Sequence, residues 1–261
     1  MNNATLEQSR AEQSRAEQSR AEQRLYLVVP AYNESENIGR FIEEWYPVIE
    51  KHNGGGMSRL VVVDDGSKDD TYRIVQQCAK EKTLLLPLTK ENTGHGPTLL
   101  YAYRYAAEHD ADYIFQTDSD GQTLPSEFEA FWELREHYDA ILGSRPNRQD
   151  GRSRKFVENT LRFILKLIFG VSVPDANAPF RLMKRELVEK YLPRMPQDFN
   201  LPNVMLTTYF AYFHEKIKFL DITFRPRQGG VNSINIRKII KIGWKALHDF
   251  RLLKKELKGK V

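Results

Sequence analysis

Hydrophobic and polar positions along this chain alternate between two periods. Leu25–Val29 is a continuous apolar run, and behind it Ile38, Phe41, Ile42, Trp45 and Ile49 recur at three- and four-residue intervals. The run predicts a buried strand, and the intervals predict a helix with one apolar face. Asn33-Glu34-Ser35-Glu36 has the form of a capping box, with Asn33 as N-cap and Glu36 three residues on. Gly54-Gly55-Gly56 then breaks the chain. Leu60–Val63 predicts a second strand and Thr71–Lys80 a second helix; Leu84–Leu88 and Pro97–Glu108 repeat the pair. Asp112–Thr117 predicts a fourth strand, Pro125 opens the next helix where proline is tolerated, and Ala140–Gly143 predicts a fifth strand. This alternation predicts an α/β fold, a mostly parallel central sheet with helices on both faces. Sheets of that kind bind ligands beyond the carboxyl ends of their strands.

Those ends carry the candidate chemistry. They read Pro30-Ala31-Tyr32-Asn33-Glu34, Asp64-Asp65-Gly66-Ser67-Lys68-Asp69, Asn92-Thr93-Gly94-His95-Gly96, Asp118-Ser119-Asp120-Gly121-Gln122 and Gly143-Ser144-Arg145. Turn chemistry alone favours Asp and Gly in loops. Carboxylates, glycines and an arginine at successive strand ends predict one shared polar site. Asp118 and Asp120, on one loop, can share a divalent cation that clamps a diphosphate and neutralises a phosphate leaving group.

With these motifs in this order, from about Leu25 to about Asn235, the chain resembles the family 2 glycosyltransferases of the GT-A fold. These are inverting enzymes with a nucleotide-sugar donor. Within the family it is most similar to the dolichyl- and polyprenyl-phosphate sugar synthases. The resemblance implies that Pro30, Tyr32 and Glu34 wall the nucleoside, Tyr32 with a ring face and Glu34 as a hydroxyl acceptor. It implies that Asp65 accepts from a base N–H, which UDP and GDP both offer. Asp118 and Asp120 match the family's Asp-X-Asp motif and are expected to hold Mg²⁺ or Mn²⁺. Val63, Ser119, Gln122 and Arg145 are placed in the same donor site. Asp64 stands between a loop-capping role and ligand contact, and His95 is given no role.

The second half is less regular. Val173-Pro174-Asp175-Ala176-Asn177-Ala178-Pro179-Phe180-Arg181 resembles the family's Asp…Ser-Gly-Phe-Arg segment, with Ala-Pro in place of Ser-Gly. Phe224-Arg225-Pro226-Arg227-Gln228-Gly229-Gly230 resembles the segment whose arginine reaches the donor phosphates, which gives that role to Arg227. The lipid-phosphate enzymes continue into Ser-Lys, where this chain has Asn232-Ser233. Inversion implies one in-line displacement, with the metal at Asp118 and Asp120, and Arg227, stabilising the departing nucleoside diphosphate. A hydroxyl acceptor needs a general base, and Asp198 in Met195-Pro196-Gln197-Asp198-Phe199 is the candidate. The competing reading makes Asp198 a cap for the helix near Leu201-Pro202. A phosphate acceptor is already ionised and needs no base.

Charge bears on the acceptor side. The 261 residues carry a formal net charge of +4. Residues 145–170 hold Arg145, Arg148, Arg152, Arg154, Lys155, Arg162 and Lys166 against Asp150 and Glu158, and residues 237–261 are richer still in Lys and Arg. The rest of the chain is acidic on balance, which points to an anionic surface or ligand met at particular places. Phe156, Val157, Leu161, Ile164, Leu165 and Ile168 follow the first basic segment, and Ile236, Ile240, Gly243, Leu247, Phe250, Leu253 and Leu257 stripe the second, beside Trp244. Both read as interfacial membrane helices, or as helices that dock on the protein's own core or form a homodimer. The longest apolar stretch, near Phe163 to Val173, is too short to span a bilayer and contains Lys166. A cytoplasmic, peripheral membrane protein is expected. Nucleic acid is not an expected partner, because the basic patches lack interleaved stacking aromatics. The lone Cys78 excludes an internal disulfide.

Glu-Gln-Ser-Arg-Ala, begun at Glu7, Glu12 and Glu17, has a period of five that builds no consistent apolar face. Residues 1–24 are therefore read as a dispensable tail, 25–235 as the glycosyltransferase domain and 236–261 as a basic amphipathic helix. The leading expectation is metal-dependent transfer to a polyprenyl phosphate. Two others are transfer to a saccharide or lipid-linked hydroxyl with Asp198 as base, and an inactive nucleotide-binding subunit of a membrane complex. Asp118, Asp120 and Arg227 argue against the last.

Overall fold

A computed structural model describes residues 22–146, 152–226 and 247–255. The chain runs β1 (Leu25–Ala31), α1 (Ile38–Lys51), β2 (Arg59–Asp64), α2 (Thr71–Ala79), β3 (Leu85–Thr89), α3 (His95–Glu108) and β4 (Tyr113–Thr117). A 3-10 turn (Pro125–Glu127) leads into α4 (Phe128–Leu134), then β5 (Ala140–Ser144), α5 (Arg152–Phe169), β6 (Phe180–Lys184) and α6 (Arg185–Tyr191). A second 3-10 turn (Leu192–Arg194), α7 (Pro202–Tyr212) and β7 (Ile217–Asp221) follow, and residues 247–255 are helical.

The strands form one sheet in the order β3-β2-β1-β4-β6-β5-β7. β6 runs antiparallel to β4 and β5, and the other pairs are parallel. The mostly parallel α/β architecture is therefore as expected, and the strands expected from the apolar runs are all present. β6 and β7 were not expected. Arg181 interrupts the apolar run of β6, and β7 is a half-exposed edge strand with Lys218 and Asp221 in it, so neither has the continuous apolar signature of a buried strand. Reversal of β6 brings its first residue, Phe180, opposite Thr117 at the end of β4, with Arg181 opposite Gln116.

Side chains alternate across the sheet with the period of two that a pleated strand imposes. Leu25, Leu27 and Val29 join Phe41, Ile42 and Trp45 of α1 and Phe128 and Phe131 on one face. Tyr26 and Val28 join Leu99 and Tyr103 of α3, Val188 of α6 and Met205 of α7 on the other. Trp45 lies 5.6 Å from Phe115 and 5.9 Å from Phe180, tying α1 to β4 and β6. Full burial of a large apolar side chain contributes about 1.5–3 kcal/mol, so this layer holds the central strands and the loops they carry.

One local expectation is corrected, and two amphipathic stripes are placed. α1 begins at Ile38 with Asn37 as N-cap, and no side chain caps it. Asn33 instead takes a left-handed conformation, φ 53°, and its side-chain oxygen accepts the Lys68 N–H at 2.8 Å. It joins the β1 and β2 loops rather than starting the helix. In α5, Leu161, Ile164, Leu165 and Ile168 pack on the core, so that stripe faces inward; the outward apolar residues are Val157, Phe163 and Leu167. Phe250 and Leu253 are buried, with Phe250 6.1 Å from Phe169 and 6.3 Å from Phe199, so the C-terminal stripe docks on the protein's own core where it is described. The pentapeptide repeat, Arg148, Arg227, Asn232, Ser233 and Trp244 lie outside the described residues.

β3 forms one edge of the sheet and carries Pro87 at its centre, opposite Val62. Among the described residues no helix is long and apolar enough to cross a membrane.

Candidate functional site

The loops after β1, β2, β3, β4 and β5 and the start of β6 gather at one end of the sheet. Ser119, 4% exposed, donates its hydroxyl to the Pro30 carbonyl at 3.0 Å, which locks the β4 loop to the end of β1. That leaves Asp118 and Asp120 to either side of a fixed point. Asp118 Oδ1 accepts from the Gln116 side chain at 3.1 Å, and Asp120 Oδ1 accepts from the Gln122 N–H at 3.2 Å. His95, the first residue of α3, stands with Nε2 3.9 Å from Asp118 Oδ1. Tyr32 is 39% exposed at the exit of β1, and Glu34 is buried with its carboxylate accepting from Asn37 Nδ2 at 2.8 Å.

Asp65 organises the facing loop. Its carboxylate is buried and receives Lys90 Nζ, the Thr93 N–H at 3.0 Å and the Gly94 N–H at 2.8 Å. Burial pushes this carboxyl up, but the hydrogen bonds from Lys90 and Thr93 outweigh it and hold the pKa below the usual carboxylate range. Gly66, φ +64°, has the Asn92 N–H 2.8 Å from where a Cβ would stand, so the β2 and β3 loops meet there backbone to backbone. Asp64 caps its own loop: it accepts from the Ser67 N–H at 3.2 Å and the Thr89 hydroxyl at 2.9 Å.

Three residues expected at the donor are engaged within the protein. Val63 is fully buried, and strand alternation places it on the α3 side of the core. Arg145 forms a buried bidentate pair with Asp175, Nε to Oδ2 at 2.7 Å and Nη2 to Oδ1 at 3.1 Å, and stacks 4.9 Å from the Phe224 ring. Gln122 is a suture: its side chain donates to the Arg225 carbonyl at 2.9 Å, and its own carbonyl accepts the Arg225 N–H at 2.8 Å. The segment that leads to Arg227 is thereby sewn to the Asp118–Asp120 loop.

Asp198 is exposed on the loop before α7. The carbonyls of Phe199 and Asn200 lie 2.5 Å from the position of a Cβ on Gly96, so this loop sits against the first turn of α3, beside His95. Sequence reasoning did not single out Lys90 or Gln116. The signal for Gln116 was present, an amide directly after the apolar run Tyr113–Phe115 of a fully buried central strand.

The donor set fits a divalent cation. Two carboxylates on one loop are the hard oxygen ligands that Mg²⁺ or Mn²⁺ takes, together with substrate phosphates and water. Among the described residues no group of three or more acidic, His or Cys side chains is placed to hold a metal.

A largely parallel sheet with an acidic pair at its strand ends has the architecture of a GT-A type of nucleotide-sugar fold. Its family follows from comparison: residues 26–192 match the model of Glycosyl transferase family 2, and the chain belongs to that family. An undecaprenyl-phosphate 4-deoxy-4-formamido-L-arabinose transferase of Pectobacterium atrosepticum is 26% identical over 219 residues, 83% of this chain and 64% of that protein. The counterpart in Photorhabdus laumondii is 25% identical over 223 residues. The chain thus spans just under two-thirds of the length of these relatives. Among solved structures, glucosyl-3-phosphoglycerate synthase from Mycobacterium tuberculosis with phosphoglyceric acid superposes with a TM-score of 0.66 at 18% identity, covering 92% of this chain and 84% of that one. S. aureus TarS gives 0.54 at 20% identity, over 78% and 60%. These two likenesses show the fold.

Proposed function

We propose that this chain transfers a sugar, with inversion, from a UDP- or GDP-linked donor to a polyprenyl phosphate at a membrane surface. The observation that carries the reading is the Asp118-Ser119-Asp120 loop, pinned through Ser119 at the strand-end crevice of a family 2 domain. Asp118 and Asp120 would hold Mg²⁺ or Mn²⁺, and the M. tuberculosis synthase crystallised with Mn²⁺ and UDP supports that choice. Bound there, the ion supplies charge neutralisation for the departing diphosphate. Tyr32 offers its exposed ring face to the base, and Pro30 and Glu34 complete the wall. Asp65 shapes the pocket by fixing the Lys90–Gly94 loop. Arg227, which the family resemblance assigns to the donor phosphates, would act on the same diphosphate.

The named activity of the 26% identical relatives supports a polyprenyl phosphate acceptor. A phosphate nucleophile is already ionised, so Asp198 then has no proton to remove. The alternative, a saccharide or lipid-linked hydroxyl, is favoured by one observation, the seating of the Asp198 loop on the start of α3. Attachment to the cytoplasmic face would be peripheral. Phe163 and Leu167, 65% and 75% exposed and one helical turn apart beside Lys166, form an outward apolar strip on α5 suited to an anionic bilayer.

The test is a transfer assay with UDP- and GDP-sugars, Mn²⁺ and a polyprenyl phosphate. Metal-dependent product is expected from the parent, at least about a hundredfold less from Asp120→Asn, and near-parental product from Asp198→Ala. No nucleotide binding and no turnover with any donor would sink the enzyme reading. Loss of activity in Asp198→Ala would move the acceptor to a hydroxyl.

A further inference from the structure

A polar chain runs through the core beneath Asp118. Gln116, fully buried on β4, donates from Nε2 to Asp118 Oδ1 at 3.1 Å and accepts at Oε1 from Asn203 Nδ2 at 2.9 Å. Asn203, 3% exposed in the first turn of α7, accepts at Oδ1 from the Tyr103 hydroxyl at 2.7 Å. That hydroxyl is also 3.4 Å from Gln116 Oε1, but it has one proton, and the shorter contact takes it. Arg181, 1% exposed, donates from Nη1 to the Asn203 carbonyl at 3.1 Å and the Thr207 hydroxyl at 3.4 Å, and from Nε and Nη2 to the Ala178 carbonyl at 3.3 and 3.0 Å.

The chain has a direction. Tyr103 donates to Asn203, Asn203 to Gln116, and Gln116 to Asp118. Turning the Gln116 amide over would set its oxygen against the Asp118 carboxylate and its NH₂ against the NH₂ of Asn203. Burial pushes the Tyr103 phenol up, so the donor at the head of the chain keeps its proton. Apolar side chains of similar volume would fill this space without the desolvation that four buried polar groups require. Stability alone does not call for such a network, and its last link touches one carboxylate of the acidic pair.

We propose that Tyr103, Asn203 and Gln116 are positioning residues that aim the Asp118 carboxylate at the divalent cation, with Arg181 fixing the Asn203 backbone from below. The inference rests on the reading that Asp118 helps to hold that cation. Partners of metal ligands typically lower metal affinity about 10–100-fold when removed.

The test uses the full chain and two readouts: Mn²⁺ affinity in the presence of UDP, measured by titration of the Mn²⁺ resonance signal, and transfer rate as a function of Mn²⁺ concentration. Gln116→Met should weaken Mn²⁺ about tenfold and Tyr103→Phe by less, with the transfer rate of both recovering as Mn²⁺ is raised. Thr208→Val is the control, a fully buried hydroxyl on the same helix that donates to the Val204 carbonyl at 2.7 Å outside the chain; its Mn²⁺ affinity should equal the parent's. Parental affinity in Tyr103→Phe and Gln116→Met, or an equal loss in Thr208→Val, overturns the proposal. If Gln116→Met does not fold, Tyr103→Phe decides. A parent that binds neither Mn²⁺ nor UDP overturns the donor-site reading itself, which distinguishes the two failures.

Discussion

Replacing Gly96 by alanine tests how tightly the candidate site is assembled. Gly96 lies in the first turn of α3, and an added Cβ would stand 2.5 Å from the Phe199 and Asn200 carbonyl oxygens and 2.6 Å from the Asn200 carbonyl carbon. All three are backbone atoms, so no side chain can swing aside; the 198–200 loop or the start of α3 must move. Overpacking of this kind costs about 1–3 kcal/mol. Alanine's better helix propensity returns up to about 1 kcal/mol. The net expectation is a loss of about 1–2 kcal/mol, or roughly 2–8 °C in Tm at about 2–4 °C per kcal/mol. Gly39 is the matched control: its Cβ would meet Ile74 Cγ2 at 3.7 Å, an ordinary contact, and Gly39→Ala in α1 should gain about 0.5–1 kcal/mol. Urea denaturation of the three proteins gives the stabilities, and the transfer assay reads the displacement of the loop that carries Asp198. If Gly96→Ala is as stable as Gly39→Ala and transfers sugar at the parent's rate, the close seating of that loop on α3 is wrong.

Other substitutions probe separate contacts. Burial pulls the His52 imidazole down, and the Glu129 hydrogen bond offsets this only in part. The unfolded chain therefore takes the proton first, so stability is full above about pH 6.5 and falls as the pH drops below it. Tm measured from pH 7.5 to 5.5 should decline, and His52→Gln should flatten that decline; equal slopes would refute the linkage. Arg145→Met leaves the buried Asp175 carboxylate without its bidentate partner and should cost about 3–5 kcal/mol by urea denaturation, with a loss under 1 kcal/mol counting against a structural clasp. Phe163→Glu with Leu167→Glu should reduce flotation with anionic vesicles and leave transfer to a water-soluble acceptor analogue unchanged, because neither side chain packs on the core. Unchanged flotation would remove α5 as the membrane contact.

Legibility in the sequence followed burial. The strands β1 to β5 were readable as continuous apolar runs because the sheet is covered on both faces, and helices α1 to α3 because their apolar positions recur at helical spacing. β6 was hidden by Arg181, a charge that the sheet accepts only because Ala178 just before it and Asn203 and Thr207 on α7 supply acceptors. The strand-end motifs do gather at one end of the sheet, but sequence could not say how each polar group there is engaged. Arg145 and Gln122 sit at the right address and are engaged by Asp175 and Arg225, partners thirty or more residues away. The amphipathic stripes of α5 and residues 247–255 were visible as stripes; what they face depends on which surface remains once α7 and the sheet are in place.

Pro87 sits at the middle of β3, where the sheet would otherwise offer a run of open donors to another chain. Proline has no N–H, so a strand arriving at this margin from a second molecule would find the ladder broken at its centre. At high concentration β3 is thus a poor seed for intermolecular sheet growth.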